Sequence, residues 1–240
     1  MDSPLTLKAI FVGDTGTGKS SLMYRLAKDE FQDPHTCTIG CAFLYHEIPS
    51  TGIRLQLWDL AGNERFRSTP PNFARQSDII FACIDVSSFT VDAPATAQMA
   101  LTRLSYWIAD VKAQILATSA RDARTLRRPG AGLLVVVATK ADKVPTDELE
   151  VRMAFLRDRV AEWDDKITVA APTVVSTSAL TGEGVAEMAL VACRMAQNLI
   201  PSCTAAIGRP GAVRLPSVND GIPTRPVNSR KNPSRFYCWA

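Results

Sequence analysis

Many of the apolar residues of this chain are gathered in short runs, and more polar stretches separate the runs. Short apolar runs at residues 7–12, 41–48, 53–58, 79–85, 133–138 and 173–176 predict six strands, because runs of this length are typical of buried sheet positions. The stretches between several of these runs are long enough for helices. Strands that alternate with helices in this order predict an α/β fold built on a parallel sheet.

The clearest helix signal follows the sixth run. Apolar side chains recur there at steps of three and four residues, at Val185, Met188, Ala192, Met195 and Leu199. This spacing places them on one face of a helix, and we interpret the stripe as core packing.

A glycine-rich segment directly follows the first predicted strand. Residues 13–20 read Gly-Asp-Thr-Gly-Thr-Gly-Lys-Ser and match the pattern G-x-x-x-x-G-K-S. Such a loop turns successive backbone N–H groups toward one anion, Lys19 can reach terminal phosphates, and the Ser20 hydroxyl is placed to ligate Mg²⁺ at a helix N-terminus. The segment therefore predicts a nucleotide phosphate site, which kinases, ATPases and GTPases share.

Two later segments indicate which base is bound. Asp142 follows the fifth run in Thr139-Lys140-Ala141-Asp142, and its carboxylate could accept hydrogen bonds from both N1–H and the exocyclic amine of guanine, whereas adenine offers no such pair. The Lys140 stem would cover one face of the ring. After the sixth run comes Thr177-Ser178-Ala179-Leu180, where the Ala179 backbone N–H could bind the guanine carbonyl oxygen. Each tetrapeptide alone is typical of an ordinary strand-to-helix turn, and their order carries the prediction.

The segment between the phosphate and base motifs makes the resemblance specific. Leu57 to Phe66 reads Leu-Trp-Asp-Leu-Ala-Gly-Asn-Glu-Arg-Phe and resembles the Trp-Asp-Thr-Ala-Gly-Gln-Glu-Arg-Phe signature of small GTPases, particularly the Rab branch of the Ras superfamily. The likeness extends over about residues 7–200, including 13–16, 38–43, 54–58 and 65–68. It implies a P-loop NTPase fold (G domain), with a mostly parallel six-stranded sheet, helices on both faces and one antiparallel edge strand.

The same resemblance implies roles for individual residues. Thr38 would ligate Mg²⁺ together with Ser20, Asp59 would hold the ion through a water, and the Gly62 N–H would bond the terminal phosphate. Asn63, Lys19 and Gly62 would be the catalytic residues. The GTP phosphates would be bound by Asp14, Thr15, Gly16, Thr17, Gly18, Lys19, Ser20, Ser21, Thr38 and Gly62, and the guanine by Thr139, Lys140, Asp142, Ser178, Ala179 and Leu180.

The implied mechanism is a GTP/GDP switch. Two segments, around residues 33–43 and 60–76, would be tied to the third phosphate and released by hydrolysis. Their surfaces would then bind an exchange factor, a GTPase-activating protein and effectors in turn. Phe43, Trp58 and Phe73 would face such partners, with plain sheet packing as the alternative for the first two.

Three positions depart from the family pattern. Asn63 stands where the water-orienting glutamine is usual; it keeps the amide but is one methylene shorter, so we expect hydrolysis to be slower by about 10- to 100-fold. Thr139 replaces the usual asparagine, and its hydroxyl can still hydrogen-bond the phosphate loop. Leu180 replaces a common lysine, which matters less because the neighbouring contact is made by backbone.

The chain has more residues between its motifs than is usual in the family that it resembles. We expect one domain over residues 1–200 with insertions near 90–103, at 119–132 and before 173. The second insertion carries Arg121, Arg124, Arg127 and Arg128, which indicate a solvated loop, with an anionic partner site as the alternative.

Residues 201–240 differ in character from the rest. They hold six prolines and show little apolar periodicity, so we expect a disordered tail. Six basic residues there stand against the single acid Asp220, a balance that suits an anionic membrane surface. Cys238 lies third from the end rather than fourth as a C-a-a-X signal requires, and both single prenylation and no lipid stay open.

The remaining features favour a cytoplasmic protein, peripheral on the cytosolic face of an endomembrane. The sequence shows no signal peptide, membrane-length apolar run or zinc spacing, and we expect reduced thiols, a monomer and no nucleic-acid partner. The expected function is a Rab-like GTPase regulating vesicle-mediated transport. A largely GTP-locked scaffold for effectors is the alternative, and Asp142 disfavours an adenylate-using enzyme.

Overall fold

The computed structural model describes residues 5–31, 38, 40–48, 51–62, 73–119, 132–163 and 172–204. The strands are β1 (Leu5–Val12), β2 (Cys41–Ile48), β3 (Ile53–Leu60), β4 (Ile79–Asp85), β5 (Leu133–Thr139) and β6 (Thr173–Ser176). The helices are α1 (Lys19–Lys28), α2 (Pro94–Ser119), α3 (Thr146–Ala161) and α4 (Val185–Thr204), and short 3₁₀ turns cover Val86–Ser88 and Ala141–Lys143.

The six strands form one sheet in the order β2-β3-β1-β4-β5-β6. All neighbours are parallel except β2 and β3, so the predicted mostly parallel sheet with one antiparallel edge strand is confirmed. A short connection with a turn at Thr51 joins β2 to β3, which suits antiparallel neighbours, whereas the parallel strands need longer crossovers. All six predicted strands are present, and three of them extend by one or two residues.

Side chains of alternate residues in β1 enter two separate cores. Ala9 and Phe11 pack on the face that α1 and α4 cover, while Ile10 and Val12 pack on the face covered by α2 and α3. These four side chains are fully buried or nearly so. A fully buried large apolar side chain contributes about 1.5–3 kcal/mol, so both layers hold the sheet in place, and the expectation of helices on both faces is confirmed.

The apolar stripe of the last helix packs as predicted. Val185, Met188 and Ala192 are buried in the core that α1 shares, and Met195 packs against it. The side chain of Leu199 lies outside the described residues. The helix itself continues to Thr204, four residues past the boundary expected at 200.

The expected insertions are described only in part. Residues 94–103 form the first turns of α2. Most of 119–132, with its four arginines, lies outside the described residues, as do 164–171 and 205–240. Within the part of the chain that is described, no helix is both long and apolar enough to cross a bilayer.

The sheet brings the sequence motifs to one edge. Parallel strands β1, β3, β4, β5 and β6 all end there, and the edge beyond the carboxyl ends of such strands is where α/β proteins bind ligands. The antiparallel β2 begins at the same edge, since Cys41 pairs with Leu60. The loops at this edge therefore hold the candidate site.

Candidate functional site

The loop between β1 and α1 forms a cradle of backbone groups. Gly18 caps α1 with φ of 83°, a left-handed conformation that a residue with a side chain adopts only with strain. The turn places the N-terminus of α1 at this loop, where the positive end of the helix dipole favours an anion. Thr15, Gly16 and Thr17 lie in this turn, and Ser21 is buried in the first turn of α1.

Lys19 lies across this loop. Only 5% of the residue is exposed, and its Nζ donates to the carbonyl oxygens of Gly13 at 2.9 Å and Asp14 at 2.7 Å. The segment after β3 approaches the same ammonium so closely that a Cβ on Gly62 would lie 2.5 Å from Nζ and 2.7 Å from the Thr15 nitrogen. Glycine at 62 therefore permits a close approach that any other residue would prevent.

Three side-chain oxygens converge beside the loop. Ser20 Oγ lies 2.5 Å from Asp59 Oδ2 and 2.9 Å from Thr38 Oγ1, and the Thr38 hydroxyl is 3.0 Å from the same carboxylate oxygen. They come from α1, β3 and the segment before β2. The structure thus brings together the three residues for which the sequence predicts metal binding.

The hydrogen bonds of this cluster engage only one of the two oxygens of the Asp59 carboxylate. It is fully buried, and among the described residues its Oδ1 has no hydrogen-bond partner. Burial raises the pKa of Asp59, while the Ser20 hydrogen bond, the Lys19 charge and the Thr38 hydrogen bond oppose the rise. A buried carboxylate with a free oxygen next to two hydroxyls is a donor set of hard oxygens that fits Mg²⁺.

Thr139 joins the base-binding edge to the phosphate loop. Its buried hydroxyl lies 2.7 Å from the carbonyl oxygen of Thr17 and 3.1 Å from that of Ile84. The expected hydrogen bond from position 139 to the phosphate loop is therefore present, although threonine replaces asparagine there. Lys140 follows with φ of 60°, a left-handed conformation that directs the chain into the turn holding Asp142.

Neighbouring strands orient Lys140 and Asp142. Asp142 lies on the surface, and Ser178 Oγ donates to its Oδ1 at 2.6 Å, which ties the carboxylate to the loop after β6. Lys140 Nζ pairs with Oδ2 of Asp85 at 2.7 Å, at the end of β4. The sequence analysis missed Asp85; its signal was a single carboxylate at the carboxyl end of an otherwise apolar strand.

Two further contacts were also missed. The Arg25 guanidinium of α1 donates to the carbonyl oxygens of Ala179 and Leu180, and the indole of Trp107 donates to Asp14. A basic residue near a helix C-terminus and an aromatic in a helix both fit ordinary patterns, so the sequence held no signal for either contact.

The three aromatic residues expected to face partners lie against one another. The Trp58 ring centroid is 4.8 Å from that of Phe43 and 5.8 Å from that of Phe73. All three side chains are partly exposed. Asn63, residues 65–68 and Cys238 lie outside the described residues.

Comparison with known proteins gives the class and the family. Residues 8–120 match the family described as "Ras of Complex, Roc, domain of DAPkinase". The chain is 31% identical to Ras-related protein Rab-4 of Dictyostelium discoideum over 95% of its own length and 98% of that protein. It is also 35% identical to Ras-related protein Rab-18 of Caenorhabditis elegans and 34% to GTP-binding protein ypt5 of Schizosaccharomyces pombe, in each case over 45% of this chain and about half of the relative.

The sheet, the phosphate loop and these matches define a P-loop NTPase with a G domain. Within that class, the chain belongs to the Rab-like small GTPases of the Ras superfamily. It is therefore a guanine-nucleotide switch with GTPase activity that interacts with regulators and effectors. Ras-like GTPases of this kind typically use Mg²⁺ with GTP.

Proposed function

We propose that this chain binds Mg²⁺ with GTP or GDP at the edge described above and acts as a Rab-like switch in vesicle-mediated transport, with slow intrinsic hydrolysis. The observation that carries the proposal is the convergence of Ser20, Thr38 and Asp59 next to Lys19 and Gly62. Phosphate, metal and switch groups are thereby within reach of one ligand.

The phosphates would bind in the cradle of residues 14–21. Backbone N–H groups of the loop and of α1 would donate to them, and Lys19 would exchange its carbonyl partners for the terminal phosphates. Ser20, Thr38 and Asp59 would hold Mg²⁺, Asp59 through a water. When bound, the ion neutralises phosphate charge that builds up during phosphoryl transfer.

The switch rests on two groups from separate segments. The Thr38 hydroxyl is contributed from before β2 and the Gly62 N–H from after β3, and both lie beside the same loop. The third phosphate would hold Thr38 through the hydroxyl's bond to Mg²⁺ and Gly62 through a hydrogen bond from its N–H, so loss of this phosphate on hydrolysis would release both segments. Exchange factors, activators and effectors would recognise those segments, and Phe43, Trp58 and Phe73 would supply part of that surface.

Guanine would lie between Lys140 and the loop after β6. Asp142 would accept from the base edge, the Ala179 N–H would donate to the 6-oxo group, and the Lys140 stem would cover the ring. Thr139 links this edge to the phosphate loop, and Ser178 orients Asp142, while Leu180 is half exposed beside Ala179.

Asn63 underlies the slow hydrolysis in this proposal. Its shorter side chain would displace the amide that orients the attacking water, so the protein would remain in its GTP form unless an activator supplied an arginine. If asparagine at position 63 abolished hydrolysis altogether, the protein would be a GTP-locked scaffold. Mostly GDP in the purified protein supports the enzyme, and mostly GTP supports the scaffold.

The proposal extends to the membrane. The G domain would span residues 1–200, with its last helix, α4, running on to Thr204. The basic tail would hold the protein at the cytosolic face of an endomembrane. Stable membrane anchoring takes two signals. A single prenyl group on Cys238 would be one of them, and the basic tail would be the other. The intact mass of the protein from a eukaryotic host reports on the modification.

The base preference of an Asp142→Asn variant tests the site most sharply. Asparagine keeps an oxygen for the Ser178 hydroxyl but presents an NH₂ group to the base, which suits the 2-oxo group of xanthine instead of the amine of guanine. We expect GDP affinity to fall by at least about 100-fold and xanthosine diphosphate affinity to rise. Glu150→Gln, an exposed change on α3, is the control. Unchanged GDP affinity in Asp142→Asn would contradict the assignment.

A further inference from the structure

Arg25 connects the helix that begins at the phosphate loop to the loop after β6. Its Nε donates to the Ala179 carbonyl oxygen at 2.8 Å, and its Nη2 donates to the Leu180 carbonyl oxygen at 3.0 Å. Only 15% of the Arg25 side chain is exposed. The planar fork therefore makes two charge-assisted hydrogen bonds to successive carbonyls of one turn.

The other half of the guanidinium is held by the end of its own helix. Nη1 donates to the Asp29 carbonyl oxygen at 2.7 Å and lies 3.2 Å from the Asp29 carboxylate. Asp29 ends α1 in a left-handed conformation, with φ of 55°, and its own backbone N–H donates to the Arg25 carbonyl oxygen. Because both sides of the fork are engaged, the side chain is fixed in one orientation.

The turn that Arg25 contacts also determines the direction of the Ala179 N–H. The Ser178 carbonyl oxygen accepts from the Gly182 N–H at 2.9 Å. In a trans peptide the C=O and N–H of one plane point in opposite directions, so the Ala179 N–H points away from Gly182. On the other side of the Ala179 Cα, Arg25 holds the Ala179 carbonyl. Both peptide planes that flank Ala179 are thus fixed.

We propose that Arg25 is a positioning residue for guanine recognition, acting by fixing the peptide that presents the Ala179 N–H to the 6-oxo group. This inference rests on the proposed function. Lys19 and Ser20 begin the same helix, so α1 would hold phosphate and base contacts in one fixed relation. Arg25 itself touches neither phosphate nor base.

A cycle of one substitution and one change in the ligand tests this role. GDP carries the 6-oxo group, whereas 2-aminopurine riboside diphosphate lacks both this group and the N1–H but keeps the diphosphate and the 2-amino group. We expect Arg25→Ala to weaken GDP by about tenfold, the effect of misplacing one hydrogen bond, and to weaken the analogue by less than about twofold. Competition against a fluorescent GDP derivative measures both affinities.

Two further variants separate positioning from general damage. Arg25→Lys keeps one charged donor in reach of the carbonyls and should recover part of the lost GDP affinity while leaving the analogue unchanged. Arg159→Ala removes an exposed arginine of α3 that pairs with Glu162, and it should change neither affinity. Should Arg25→Ala not fold, as judged by its urea transition, Arg25→Lys alone must still weaken GDP more than the analogue.

The outcomes distinguish this inference from the proposed function. Equal weakening of GDP and the analogue, or no weakening of GDP, overturns the role of Arg25 while nucleotide binding stands. Failure of the unmodified protein to bind GDP overturns the proposed function and this inference with it.

Discussion

The indole Nε1 of Trp107 donates a hydrogen bond to Oδ1 of Asp14 over 2.8 Å. The bond joins the middle of α2 to the phosphate loop, 93 residues away in sequence. Arg103, one turn earlier on α2, lies 3.6 Å from the other oxygen of the same carboxylate. The loop is therefore held from its outer side by a helix that contributes nothing to the predicted phosphate contacts.

We expect Trp107→Phe to speed GDP dissociation. Phenylalanine keeps an aromatic ring in the α2 core but leaves Asp14 without its indole donor, and a hydrogen bond to a charged group contributes about 1.5 kcal/mol or more. Stopped-flow release of a fluorescent GDP derivative should show a rate increased about five- to tenfold. Trp163→Phe, beyond the end of α3, is the control, and equal rates in both variants would refute the role of the hydrogen bond.

Gly62→Ala should separate GTP from GDP. The added Cβ would lie 2.5 Å from Lys19 Nζ, so the segment after β3 could no longer approach the phosphate loop. Since only the third phosphate would need that approach, GTP affinity should fall by at least about tenfold while GDP affinity stays within about twofold. Titration with both nucleotides measures the ratio.

Gly52→Ala provides the matched control for this change. Its Cβ would meet open space in the β2–β3 turn, although a φ of 66° makes the substitution costly by about 1 kcal/mol of stability. It should lower the unfolding midpoint without changing either affinity. A Gly62→Ala protein that loses GDP and GTP equally would contradict a contact specific for the third phosphate.

The lowered pKa of Lys112 makes the stability of the folded chain depend on pH. Partial burial lowers the pKa of Lys112 from its usual 10.5 to about 8. Between about pH 8 and 10.5 the unfolded chain keeps this proton and the folded chain does not, so the lysine makes folding more favourable as pH rises through that window. Below pH 8 the half-buried charge is a penalty.

Lys112→Met should therefore raise the unfolding midpoint at pH 7, and the gain should shrink as pH approaches 10.5. Solvent reaches part of the side chain, so the effect is modest. Urea unfolding at several pH values measures it, with the exposed Lys28→Met as control. A gain that is the same at pH 7 and pH 10 would show that burial of the charge is not its source.

Asn63→Gln tests the hydrolysis proposal. Restoring the longer amide should accelerate single-turnover GTP hydrolysis by about 10- to 100-fold, because orientation of the attacking water dominates this step. Nucleotide affinity should not change. Equal hydrolysis rates in the two proteins would remove the explanation for a long-lived GTP form.

The sequence predicted those features that follow from order along the chain. Six apolar runs gave the strands, and parallel strands bring their carboxyl ends to one edge, so Ser20, Asp59 and Asp142 could be assigned to one site. Even the departure at Thr139 was handled correctly, because a hydroxyl at a strand end can reach the neighbouring loop.

Contacts that depend on how helices dock on the sheet could not be predicted in this way. Arg25 reaches Ala179 because α1 and the β6 loop lie on the same side of the sheet, and Trp107 reaches Asp14 because α2 packs behind the phosphate loop. Neither relation leaves a periodic or local trace in the sequence. The ion pair between Asp85 and Lys140 could be predicted only by knowing the register of β4 and β5.

Calorimetric titration of the purified protein, freed of nucleotide, with GDP, GTP and ATP in magnesium buffer tests the central claim most directly. We expect both guanine nucleotides to bind with one site per chain and ATP to bind at least about 1,000-fold more weakly, because Asp142 discriminates the base. Binding of ATP as tight as that of GTP, or no heat of binding with either guanine nucleotide, would contradict the account.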